Sequence, residues 1–279
     1  MRCSAETLRE AFARDGSNAV MTESSPPTIP NAINAHSTSL AARMANVFAA
    51  PGEVFDEVKS APASVANWLV PAVLLALVGI VYAFVLFSQP SIQQQIREQQ
   101  EQAIEQMVKD GKRTQAEADQ ALAAIEKFSG PTMMKVYGSF AAVIGSFIKI
   151  LWWGFVVWML ARWLFKVRVP YMKAVEVAGL AAMISVLGAV VSLFLAVTMG
   201  NMFATPSLAL LVDDFSPTNK THLLLGAVNF FNLWLVGVLA SGLARLGGVS
   251  FGKAALILFG FWTALELVFI FSGVGRMAL

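Results

Sequence analysis

Five long apolar blocks constrain this chain more than any other feature. They are "NWLVPAVLLALVGIVYAFVLFS" (67–88), a stretch within 137–165, and stretches near 174–199, 223–244 and 254–272. A helix rising about 1.5 Å per residue needs about 20 apolar residues to cross a hydrocarbon core of roughly 30 Å. Charged residues make up only 14% of the chain and hydrophobic residues 57%, whereas a soluble domain carries about 25% charged residues. The expected fold class is therefore all-α, a polytopic membrane protein with five transmembrane helices whose first partner is the lipid bilayer. Five crossings place the two ends of the membrane domain (67–275) on opposite sides.

The segments outside the blocks have distinct characters. Residues 1–38 are rich in Ser, Thr, Pro and Asn and read as a disordered tail. No apolar core follows Arg2, so they do not read as a signal peptide, and Met21 offers an alternative start. Residues 39–60 read as two short amphipathic helices. Leu40, Met44, Val47 and Phe48 share one face of the first, and Pro51 opens the second, with Val54, Phe55 and Val58 as its apolar side. Such helices lie at the membrane interface or pack on the membrane domain. Residues 89–135 form the long polar insert, rich in Gln, Glu and Ala and broken at "DGKR". Thr114 and Glu117 have capping-box spacing. The insert reads as an extramembrane helical hairpin.

Basic residues orient the chain. Arg162, Lys166, Arg168 and Lys173 lie between blocks two and three, and Arg245 and Lys253 between four and five, with no acid in either connection. These six read as topology anchors or lipid-headgroup contacts. They place the N-terminus in the cytoplasm and the C-terminus outside. The insert then lies outside, against the weight of its own six Lys/Arg, which seven acids accompany.

The same anchors mark depth. Lys149 lies 13 residues before Arg162, Glu266 lies 13 after Lys253, and Asn232 lies 13 before Arg245. Thirteen residues of helix span about 20 Å. The three therefore fall at one depth in the outer half of the bilayer, with Asn229 one turn further out. An ion pair between Lys149 and Glu266, with Asn232 beside it, is the expected resolution for charges inside a membrane. Snorkelling of Lys149 to the interface, beside Trp152 and Trp153, is the alternative.

Enzyme motifs are missing from the sequence. It has no Walker loop, HExxH or nucleophile elbow, so no catalytic residue is expected. The one cysteine, Cys3, excludes an internal disulfide, and the histidines, His36 and His222, are far apart. No metal site, cofactor or nucleic-acid partner is expected.

Four segments, taken in order, carry a family resemblance. They are "RMANVFAAPGEVFDEVKSAP" before the first span, "VPYMKAVEVAGLAAMISVLG" entering the third, "NFFNLWLVGVLASGL" in the fourth and "FGKAALIL" entering the fifth. Over roughly residues 40–275 the chain resembles the Yip family, the Ypt/Rab-interacting five-span membrane proteins, and specifically its bacterial branch. The resemblance implies five helices, a cytoplasmic N-terminus and residence in the plasma (inner) membrane. It supplies no catalytic residues. Eukaryotic members are associated with small GTPases and vesicle traffic, a role that does not transfer to a bacterial member. The expected function is a non-enzymatic membrane scaffold that binds a membrane or peripheral protein, compatible with a homo-oligomer. The rival is a small transporter or channel using Lys149, Glu266 and Asn232.

Overall fold

The computed structural model describes residues 38–128, 130–213 and 215–272. The tail expected over 1–38, apart from Thr38, and the final "GVGRMAL" (273–279) lie outside the described residues.

Among the described residues the chain forms ten α-helices: α1 (Leu40–Asn46), α2 (Pro51–Ser60), α3 (Ala66–Leu86), α4 (Pro90–Lys109), α5 (Gln115–Phe128), α6 (Pro131–Met159), α7 (Tyr171–Met199), α8 (Lys220–Ala227), α9 (Phe230–Gly247) and α10 (Phe251–Ser272). A π-helical turn, Leu160–Leu164, extends α6. Five helices are long and apolar enough to cross a membrane: α3, α6 with its π turn, α7, α9 and α10. Large apolar side chains such as Val73 and Leu77 on α3 and Phe140, Ile144 and Ile148 on α6 are exposed on the outside of the bundle. This is the arrangement a helix adopts when lipid, not water, is its solvent.

α7 is the central helix. It packs on α3, α6 and α9, and α10 joins the bundle through α9. Small residues permit the close approaches. A side chain on Gly179 of α7 would run into the backbone of Trp68 on α3, and one on Gly242 of α9 would overlap Val177 on α7.

α1 and α2 do not lie free at an interface. Val47, Phe55 and Val58 are wholly buried and Val54 nearly so, in the same core as Val177, Leu239 and Leu243. Their apolar faces are spent on the membrane domain, so they cap the end of the bundle where the basic connections lie.

The hairpin is formed by α4 and α5, which pack on each other. Gly111 turns the chain with φ 68°. The capping box is made: Thr114 Oγ1 accepts from Glu117 N at 3.3 Å and Glu117 Oε2 accepts from Thr114 N at 2.8 Å.

Several boundaries differ from the hydropathy reading, with α6 starting at Pro131 and α10 at Phe251 among them. The fourth block is not one helix from 223. It divides into α8 and α9 at Val228–Asn229, where Asn229 bridges to Ser207 and caps α9. An Asn side chain that accepts backbone N–H groups ends one helix as readily as it starts the next. The third span begins at Tyr171, three residues before the expected 174, so Lys173 and Glu176 fall in its opening turns.

Candidate functional site

Lys149, Asn229 and Asn232 share one cavity. It measures about 390 Å³ and lies between α3, α6, α7 and the start of α9, with Tyr82, Ser146, Ser185, Ser192 and Thr205 also on its wall. Asn229 is placed by its capping role: its Oδ1 accepts from Phe231 N at 2.9 Å and Asn232 N at 3.3 Å. Asn232 follows in the first turn of α9. These two asparagines therefore sit at the hairpin end of the bundle rather than deep within a continuous fourth helix. Lys149 comes from the middle of α6 and makes no ion pair or hydrogen bond among the described residues.

Glu266 stands apart from this group. It does not line the cavity, and no Lys149–Glu266 ion pair exists among the described residues. α10 packs chiefly on α9 and α8. Glu266 instead lies one turn after Trp262 on α10, and the Trp262 side chain interacts with it. Equal spacing from the basic anchors did not mean adjacency around the bundle.

A second polar constellation lies at the opposite end and includes residues the sequence pattern left unremarked. Glu176 is fully buried. Its Oε1 lies 3.1 Å from Lys173 Nζ, and its Oε2 accepts from Asn67 Nδ2 at 2.6 Å. Asn67 Oδ1 in turn accepts from Arg43 Nη1 at 3.4 Å. Arg43 Nε sits 3.3 Å from Glu57 Oε2, and Lys173 Nζ also donates to the Val58 carbonyl at 2.7 Å. Two cations and two acids thus neutralise one another across α1, α2, α3 and α7. A second tie joins α2 to α9 through Arg245 Nη1–Asp56 Oδ2 at 2.9 Å and Lys59 Nζ to the Arg245 carbonyl at 2.7 Å.

This changes the reading of two anchors. Lys173 is buried and committed to Glu176 and Val58, so it is not a headgroup contact. Arg245 is half-exposed but paired with Asp56. Of the others, Arg162 lies over the Trp158 ring at 5.7 Å and Lys253 over Phe165 at 5.6 Å. Lys166 has φ 57° in the turn between α6 and α7, and Arg168 lines a surface pocket with Lys59. The i, i+3 spacing of Lys173 and Glu176 was the available sign of the buried pair.

Glu57 is held in its charged form. Burial works against the carboxylate, but the Thr38 backbone N–H and hydroxyl, together with Arg43, outweigh it and lower its pKa. Among the described residues no group of His, Cys, Asp and Glu is arranged to hold a metal ion.

No curated protein and no solved structure matches the chain. The Yip1 domain matches it over residues 45–272, from α1 to the last residue of α10. The match takes in all five spans, the hairpin and most of the cap, and the chain belongs to the Yip1-domain family of membrane proteins.

Proposed function

We propose that the chain is a non-catalytic membrane scaffold that presents the α4–α5 hairpin to a protein partner. The rooting of the hairpin carries this reading. Gln95 Oε1 accepts from Met202 N at 3.0 Å while Gln95 Nε2 donates to Asn201 Oδ1 at 3.3 Å. Ile92, fully buried, packs with Leu86 and Ala196 beside them. A polar hairpin fixed at its base is pre-organised, which lowers the entropy lost when a partner binds. In this reading, the charge argument supports a hairpin outside the cell and a capped end in the cytoplasm, and the resemblance to the bacterial branch supports the plasma membrane.

The test is crosslinking followed by affinity purification, comparing the intact chain with one lacking residues 91–130. The scaffold reading expects a partner captured by the intact chain and lost on deletion. Identical capture by both would refute it.

One observation favours transport as a second reading: the Lys149 cavity. Against it, the packed apolar core lies between that cavity and the capped end, with Ile150, Val157, Leu180, Ile184 and Leu239 all 1% exposed or less. Anion flux through liposomes holding the purified protein, abolished by Lys149→Met, would establish transport. Flux no greater than in protein-free liposomes would dismiss it.

A further inference from the structure

The Lys149 cavity is built to attract negative charge. None of its lining residues is acidic. Its one basic group, the Lys149 side chain, has no partner among the described residues. A cation left unpaired inside a membrane domain is costly, and the usual resolution is an opposing charge. Around it stand donors: the hydroxyls of Tyr82, Ser185 and Ser192 and the amide of Asn232. The 18-residue helix α9 begins at this wall and adds the positive end of its dipole. A volume of about 390 Å³ falls in the ordinary range for small-molecule sites, about 300–1,000 Å³.

We propose that this cavity binds a phosphate group, and that the headgroup of an anionic lipid supplies it. The packing favours a lipid source. α6 packs on α3 and α7, and α9 packs on α7 and α10. The π turn after α6 meets α9 near the capped end, and no substantial packing joins α6 itself to α9. Beside the cavity the two helices are not packed together, which leaves a side facing the bilayer. The upper wall, at Asn229, Thr205 and Tyr82, lies near the ends of the spanning helices α9 and α3, the ends that a span of this length brings toward the headgroups. A headgroup entering there meets the asparagines first and Lys149 below them.

The test uses the full chain purified in detergent, as wild type and as the variants Lys149→Met, Lys149→Arg and Gly145→Leu. Gly145 lines the cavity, and a Cβ there meets nothing within 4 Å. Leucine there adds bulk to the cavity one turn before Lys149 and leaves the lysine itself in place. Native mass spectrometry measures retention of phosphatidylglycerol against phosphatidylcholine, and thermal unfolding measures stabilisation by inorganic phosphate. Wild type is expected to hold phosphatidylglycerol about tenfold more tightly than Lys149→Met, the factor for a lost charge-assisted contact. Lys149→Arg should retain it and Gly145→Leu should lose it, with phosphatidylcholine weak throughout. Stabilisation by inorganic phosphate that needs Lys149, without lipid retention, would uphold the phosphate site and overturn the lipid source. Equal binding of both probes by wild type and Lys149→Met would overturn the site. This site rests on no partner for the hairpin: no residue of α4 or α5 lines the cavity, and the cavity variants leave the hairpin intact.

Discussion

Lys173 and Glu176, one turn apart on α7, form an ion pair of 3.1 Å inside the protein, with the lysine side chain 10% and the glutamate 0% exposed. Removing one member of a buried pair strands the other charge, at a cost of about 3–5 kcal/mol. Lys173→Met and Glu176→Leu are each expected to lower the unfolding temperature in detergent strongly. The double variant should recover part of the loss, since both charges then leave together. A double variant with the summed loss of the two singles would show that the pair is not coupled.

Glu57 makes the cap sensitive to acid. Its pKa is lowered from 4.5 in the folded protein. Its contribution is therefore complete above the unfolded value and fades as pH falls through the lower folded one. Protonation also removes the partner of Arg43, which is buried. Amide exchange across α1, corrected for intrinsic rates, is expected to rise as pH falls below the unfolded value and through the lower folded one. Glu57→Gln should show the faster exchange already at neutral pH and a flatter pH dependence.

Helix contacts at glycine give a graded prediction. Gly179→Ala places its methyl against the Trp68 backbone, which cannot yield without moving α3. A loss of about 1–3 kcal/mol or more is expected from such overpacking. Gly237→Ala on α9 meets nothing within 4 Å and should be neutral or gain up to about 1 kcal/mol from helix propensity. Thermal unfolding of the two variants side by side checks the contrast.

Orientation is open to direct labelling. With Cys3 replaced by Ser, a single cysteine at Gln106 in the hairpin should react with an impermeant thiol reagent on intact cells. One at Glu53 in the cap should react only after permeabilisation. Both positions are exposed. The reverse pattern would invert the membrane orientation drawn from the basic connections.

The parts legible in the sequence were those set by local hydropathy and capping. Each apolar block yielded a spanning helix, and Thr114 with Glu117 marked the second arm of the hairpin. The break at Asn229 was hidden because apolar residues continue on both sides, and a side-chain cap leaves no mark on average hydropathy. Glu176 carried no mark in the sequence beyond its i, i+3 spacing from Lys173. Its burial depends on Asn67 and α2 arriving from more than a hundred residues away. Depth counting put Lys149 level with Glu266, but depth says nothing of helix order around the bundle. That order, with α10 on the far side of α9, separates them.

The central claim is that the hairpin is the partner-binding surface. A photo-crosslinking residue at Glu101, exposed on α4, tests it most directly, with one at the lipid-facing Phe140 as control. The account predicts a discrete protein adduct from position 101 and none from position 140. No adduct from 101, or the same adduct from both, would contradict it.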